Sequence, residues 1–286
     1  MQLQIDKSLH LHRTHPHLTP GTSERPKLRS IPMADATPTE NLRNELSDQG
    51  CVLKQGDYAI FLADSAARRK EANALIKRMY SWRGYNTEDA AVTSPNQTSL
   101  EAYSGPDLIG TLTLGVDSKE GLLADELYNQ EISMLRATGR KVCELSKLAI
   151  DPIYSSKELL ASLFNLAYIC GRIIHKATDF IIEINPRHAA YYKRMLGFDQ
   201  ISEIRTCQRV NAPAVLLHLN LEYVETEVSR LAGLRKSGER SLYSHFLTKA
   251  EEKKVADKAW GRLNRLAEQE LFWMNNRLKS LATLCG

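Results

Sequence analysis

The run Gly139-Arg140-Lys141-Val142-Cys143-Glu144-Leu145-Ser146-Lys147-Leu148-Ala149-Ile150-Asp151-Pro152 decides how the rest of the chain is read. Its apolar content predicts a strand from Val142 to Ile150, and Gly139 stands where the cap of a preceding helix belongs. Period-two alternation places Glu144, Ser146 and Leu148 on one face, with Cys143, Leu145 and Lys147 on the other. A carboxylate on a central strand is costly to bury, because in a low dielectric it must find donors or give up its charge. Burial raises its pKa towards neutrality, where a general base works. An ion pair of Glu144 with Arg78 or Arg187 that simply holds the sheet is the other reading, and spacing does not choose between them.

Working outward towards the N-terminus, Leu122 to Ala137 has a helical stripe of Leu123, Leu127, Ile132 and Leu135. Leu108 to Gly115 alternates as a strand, Tyr58 to Leu62 is a short apolar strand, and a helix that starts at Ala66 and is ended by Gly84 follows an N-cap at Asp64 or Ser65. On the other side, Ser155-Ser156-Lys157-Glu158 reads as a capping box with Ser155 as cap, opening a helix that runs to about Lys176. Phe180 to Ile184 is a strand of the kind buried on both faces, ended by Pro186. A short helix closes at Gly197, and Ala214 to Leu221 is the last strand. Strands and helices in alternation give an α/β domain with a mixed central sheet flanked by helices over residues 51–224.

Residues 1–50 contain five prolines and no aromatic residue, which predicts a disordered arm. Its histidines His10, His12, His15 and His17 read as part of a polar tail rather than as metal ligands. Residues 225–286 form a helical extension, opened by a second capping box at Thr248-Lys249-Ala250-Glu251. Its stripe of Val255, Trp260, Leu263, Leu266 and Phe272 suits docking on the core or on a second subunit. A membrane-surface helix is disfavoured because Asp and Glu share the polar face with Lys.

Composition narrows the function. With 43% hydrophobic and 25% charged residues and a net charge of +4, the chain has ordinary soluble composition, and nothing in it demands nucleic acid. The five cysteines lack a C-x-x-C pair, so no disulfide framework and no metal site are indicated, and a cytoplasmic setting fits. No apolar run is long enough for a membrane span. Dinucleotide and P-loop fingerprints are missing.

Two further segments carry chemistry. Ser155, Ser156 and Lys157 lie at a helix N-terminus, where free amides and the helix dipole favour an anion such as phosphate, although every capping box looks like this and plain capping is the favoured reading. Asn185-Pro186-Arg187-His188 through Tyr191-Tyr192 to Gly197-Phe198 joins a strand end to a helix with tandem tyrosines, one expected to face the core and the other a cleft. A phenol there is able to protonate a departing thiolate, whose own pKa is about 8.5.

At these residues the sequence resembles the GNAT superfamily of N-acyltransferases, and more closely the N-acyl amino acid synthases of the FeeM type, which are related to acyl-homoserine lactone synthases. Gly110-Thr111-Leu112-Thr113-Leu114, Gly139 to Asp151, and Asn185-Pro186-Arg187-His188 through Gly197-Phe198 carry the likeness, over roughly residues 55–222. The resemblance implies a GNAT-like fold and transfer of an acyl group, long-chain in the closer relatives, from a pantetheine thioester to the amine of an amino acid or similar small acceptor. Glu144 and Ser146 match a Glu-x-Ser-Arg motif of the lactone synthases, with Lys147 in place of the arginine. Glu144 would take the amine proton and Tyr192 would protonate the thiolate, while amides near Leu148 polarise the carbonyl.

Lys147, Leu148, Ile150, Ser155, Ser156, Lys157, Arg78, Trp82, Arg187 and His188 are the expected donor and substrate contacts, and Trp82, Met79 and Leu112 the expected acyl pocket. The pyrophosphate loop of coenzyme A enzymes is replaced by Asp151-Pro152-Ile153-Tyr154-Ser155-Ser156, which favours an acyl carrier protein over acyl-CoA as donor. No tightly bound cofactor is implied. Arg136, Arg140, Lys141, Lys157, Arg187, Lys193 and Arg194 are the candidate dock for that acidic partner. An acetyl-CoA enzyme acting on a small amine or protein, and a non-catalytic sensing or scaffolding module, are the competing readings.

Overall fold

A computed structural model describes residues 50–63, 65–85, 96–234 and 239–284. The arm and its histidines fall outside the described residues, apart from Gly50.

The elements run β1 (Cys51–Gln55), β2 (Tyr58–Leu62), α1 (Ala66–Ser81), β3 (Gln97–Ser104), β4 (Asp107–Val116), α2 (Asp125–Ala137), β5 (Val142–Ile150), α3 (Lys157–Tyr168), β6 (Asp179–Ile184), α4 (Ala189–Leu196), β7 (Asp199–Gln200), β8 (Arg205–Cys207), β9 (Ala212–Asn220), α5 (Leu221–Leu231) and α6 (Lys249–Leu284). The sheet order is β1-β2-β3-β4-β5-β6-β9-β7, with β8 on β9. Only β5 and β6 pair in parallel among the described strands; the remaining pairs are antiparallel, so the sheet is mixed as the sequence predicts.

Four strands lack a legible sequence signal, the two short pieces β7 and β8 and the pair β1 and β3 that flank β2. β1 is five residues joined to β2 by a tight turn at Gly56, whose φ of +56° suits glycine. β3 reads Gln-Thr-Ser-Leu-Glu-Ala-Tyr-Ser, too polar to announce itself, with only Leu100, Glu101 and Ala102 buried. Both are strands because a neighbour supplies the ladder, not because of their own propensity.

Each face of the sheet has its own core. On one, α3 contributes Leu159, Leu160, Leu163 and Leu166 against Leu112, Leu114, Cys143, Leu145, Phe180 and Ile182. On the other, α1 and α2 lay Leu75, Ile76, Tyr80, Ala124, Tyr128 and Ile132 against Val142, Ala149, Ile181 and Leu216. The helix after β5 departs from expectation at both ends. Its cap is Ser156, which accepts from the Leu159 amide at 3.1 Å, while Asp151 caps a 3-10 turn at Pro152–Tyr154 and leaves Ser155 between them. The helix then widens into a π turn at Ile169–Ile174, where a Cβ on Gly171 would lie 2.6 Å from the Phe180 ring. Glycine lets this turn touch β6.

The first half of α6 packs on the first core through Val255, Ala256 and Ala259, with Leu263 and Leu266 partly buried beside them. Trp260 and Phe272, expected in that stripe, are 53% and 62% exposed and lie off the docked face. Small residues at 256 and 259, rather than the large aromatics, let the helix approach. No helix among the described residues is long and apolar enough to cross a membrane.

Candidate active site

The geometry starts from a gap between two strands. β5 and β6 pair through Val142↔Asp179, Cys143↔Phe180 and Glu144↔Ile181, and there the ladder ends. From Leu145 onward β5 has lost β6 as a neighbour, while β6 continues with β9 up to Ile184. The sheet therefore splays between two parallel strands, open towards their C-terminal ends, with Glu144 at the point where it closes.

A bulge sits beside this point. β4 pairs Thr113 with Ser146 and Thr111 with Ala149, so Leu112 faces both Lys147 and Leu148. Lys147 takes φ +54°, a left-handed backbone that costs a non-glycine residue about 1 kcal/mol. The extra residue shifts the phase of alternation. Leu148 joins the core that holds Cys143 and Leu145, and Ala149 falls on the face of Val142. Lys147, expected on the face away from Glu144, turns towards it instead, and Leu148 turns away. Strict alternation fails because a bulge puts two residues where the pleat allows one.

Glu144 is 2% exposed. Its Oε2 accepts from the amides of Leu123 at 2.6 Å and Ala124 at 3.3 Å, at the N-terminal end of α2. These are orphan helix-end donors, and the dipole there favours the anion. Its Oε1 is buried and has no hydrogen-bond partner. Burial is the main cause that pushes the carboxyl up to about 7; the nearby Glu183 pushes the same way, and Arg209 opposes. Neither arginine proposed to pair with it does so. Arg78 binds Asp151 at 2.6 Å, and Arg187 donates to Tyr85 at 2.9 Å and to His188 at 3.1 Å.

Lys147 is buried with its Nζ 3.4 Å from Gln97 Oε1, and burial lowers its pKa to about 8 against the attraction of Glu144. Ser146, also buried, precedes it on the Glu144 face. The Leu148 carbonyl accepts from Tyr80 at 3.2 Å, which fixes the peptide following the bulge. The Tyr192 ring is enclosed by Phe164, Tyr191 and Phe198 at centroid distances of 5.9 to 6.1 Å. Its hydroxyl has no partner, and burial raises its pKa well above 10. Tyr191 is only partly buried, packed on the outside of the same core.

The remaining expected contacts divide between the two lips of the splay. Ile150, Asp151, Ser155, Ser156 and Lys157 follow β5, whereas Arg187 and His188 follow β6. Trp82 does not line an enclosed pocket: it is 67% exposed at the end of α1, with Arg83 over its ring, while Leu112 lies in the opposite core. The expected basic dock also divides. Arg136 is held by Asp117 and Asp125, and Arg140 binds the fully buried Asp179 through two hydrogen bonds. Both precede β5, at the end of the sheet away from the opening.

Two residues of this constellation were not anticipated. Glu183, on β6, is 1% exposed and lies on the same face as Ile181. Its Oε2 accepts from Arg209 at 2.8 Å, and its Oε1 is buried without an N–H or O–H donor, with the weakly donating Cys207 thiol against the carboxylate. Arg209 also donates to the Leu123 carbonyl and to Glu126, tying β6 to the segment that holds Glu144. A carboxylate in the otherwise apolar run Phe180-Ile181-Ile182-Glu183-Ile184 was the available signal. Arg209 sits in a connection between short strands and had none.

A mixed sheet that splays between parallel β5 and β6, with a bulge next to the gap, is the fold of the GNAT acyltransferases. The family model for the N-acyl amino acid synthase FeeM matches residues 71–220, and the chain belongs to that family. The solved structure of FeeM, an N-acyl amino acid synthase from uncultured soil microbes, is 26% identical with a TM-score of 0.55, over 59% of this chain and 94% of that one. A putative N-acetyltransferase from Lactobacillus plantarum is 16% identical with a TM-score of 0.44, over 58% and 99%. An acyl-CoA N-acyltransferase from Pseudomonas aeruginosa is 13% identical with a TM-score of 0.42, over 56% and 98%. No curated protein matches. The chain is an acyltransferase by family.

Proposed function

We propose that this acyltransferase works in the cytoplasm and moves an acyl group, long-chain by the family likeness, from the pantetheine thioester of an acyl carrier protein to the amine of an amino acid. The observation that carries the reading is the enclosed Glu144 carboxylate, with one oxygen unpartnered, at the closed end of the β5–β6 gap. A thioester arm entering from the open end of the gap would bring its carbonyl towards the bulge. Glu144, raised to about 7, is ionised in a large share of molecules at neutral pH and takes a proton from the acceptor ammonium. The freed amine attacks the carbonyl carbon, the C–N bond forms, the C–S bond breaks, and the electron pair leaves on sulfur. Tyr192, kept protonated by burial, gives its proton to that thiolate. The nitrogen gives up its second proton to solvent as the amide forms, and solvent afterwards restores the tyrosine proton and accepts the one on Glu144. A backbone amide near Leu148 would stabilise the oxyanion, with Tyr80 holding the adjoining peptide.

For the carrier protein, the lips of the gap offer Lys157 beside Ile153, which is 86% exposed, an arrangement suited to an acidic helix with an apolar anchor. Incubating purified protein with dodecanoyl carrier protein, dodecanoyl-CoA or acetyl-CoA and each of the twenty amino acids, followed by mass spectrometry, tests this reading. N-dodecanoyl amino acid formed chiefly from the carrier-bound donor is the expected result. Product from acetyl-CoA alone, or no product from any donor, would overturn it.

A further inference from the structure

We infer that Glu183 is a second acceptor-binding carboxylate, and that Oε1 of Glu183 and Oε1 of Glu144 together receive the ammonium group of the incoming amine. This rests on the reading of Glu144 given above and extends it to a residue that reading does not need. Three observations converge. First, the two carboxylates stand on the neighbouring strands that border the gap: Glu144 pairs with Ile181 in the last rung of the ladder, and Glu183 lies two residues further along β6 on the same face. Second, both are almost wholly buried, at 2% and 1% exposure, and each keeps one oxygen without an N–H or O–H donor, the Cys207 thiol, a weak donor, being the group against Glu183. Third, the satisfied oxygens are fixed by rigid groups, Glu144 Oε2 by the amides of Leu123 and Ala124, and Glu183 Oε2 by Arg209.

Buried carboxylate oxygens are rarely left without donors, so two on adjacent strands define a place for a group rich in N–H and positive in charge. An alkylammonium has three donors and one charge, and suits both oxygens together. Neither resident cation binds these oxygens: the Arg209 guanidinium already reaches Glu183, Glu126 and the Leu123 carbonyl, and Lys147, on the Glu144 face, directs its Nζ to Gln97 Oε1 at 3.4 Å. The division of labour follows. Glu183, held by Arg209, would keep the nitrogen in place, while Glu144, with no side-chain cation on its own oxygens, would take the proton. No other bond changes in this step.

The test uses n-butylammonium as ammonium probe and 1-butanol as its neutral isostere. Binding at pH 8 is followed by ligand-observed NMR with wild type, Glu183→Gln, and the double variant Glu183→Gln/Arg209→Met, which removes the ion pair as a unit and keeps the buried site neutral. The Kd for n-butylammonium is expected to rise roughly tenfold or more in both variants, with 1-butanol binding alike to all three proteins. Unchanged n-butylammonium affinity in Glu183→Gln, recovery of affinity in the double variant, or no binding to wild type would overturn the inference. Recovery would mean that Glu183 serves only to neutralise Arg209. Turnover of Glu144→Gln reports separately on the underlying reading: full activity there sinks the base assignment, whereas a null result at Glu183 alone leaves it standing.

Discussion

Glu144 ties activity and stability to the same proton. Its carboxyl is raised from 4.5 to about 7, so between those values the folded protein holds a proton that the unfolded chain releases. Stability contributed by the protonated form is complete below pH 4.5 and is lost as pH rises through 7. Activity runs the other way, since the base must be ionised. We expect kcat/KM to climb with an inflection near pH 7, and Glu144→Gln to lose at least about 100-fold in kcat. The same variant should melt several degrees above wild type at pH 8, corresponding to about 1–3 kcal/mol, with the difference vanishing by pH 4. A thermal-shift series across pH measures both signs. Tyr192→Phe makes the complementary case: its hydroxyl makes no hydrogen bond, so the melting temperature should hold while kcat falls by about 100-fold.

Among the elements, the π turn and the bulge perform opposite tasks. Gly171 allows the π turn to rest on the Phe180 ring, so Gly171→Ala should destabilise by about 1–3 kcal/mol through overpacking, read as a lower denaturant midpoint at unchanged slope. The bulge keeps strain instead of relieving it. Lys147 stays left-handed because its neighbours on β4 fix the register on both sides. Sequence made β5 legible to the residue, since seven apolar and small residues among the nine from Val142 to Ile150 admit little else. It did not reveal the bulge, because a bulge is a mismatch of count between two strands and only one of them is β5. β3 escaped for a related reason: its polar ends become strand only between β2 and β4.

Over the whole molecule, charge has to be judged by where the fold spends it. Arg140 and Lys157 look alike in sequence, but Arg140 neutralises buried Asp179 at the closed end of the sheet, whereas Lys157 stands at the open end. Arg140→Glu should therefore cost about 3–5 kcal/mol of stability with any donor. Lys157→Glu should leave the melting temperature within a degree and lower kcat/KM severalfold with carrier-bound donor only, an effect that added salt erases. The C-terminal helix belongs to the same body as the sheet, since Val255, Ala256 and Ala259 lie in the core with α3 residues. Ala259→Asp, which buries an unpaired carboxylate there, should lower the stability of the entire sheet in one cooperative transition, monitored by circular dichroism.

Read alone, the amino-acid order determined the runs of strand and helix, the mixed α/β class, and a carboxylate within a central strand, because periodicity and the cost of an isolated charge act over a few residues. Tertiary structure decided which face Lys147 takes, which amides receive Glu144, and that Glu183 and Arg209 stand beside it. Those outcomes depend on groups from β4, α2, β6 and the segment before β9 meeting at one gap. Contacts between residues tens of positions apart leave no mark on local pattern.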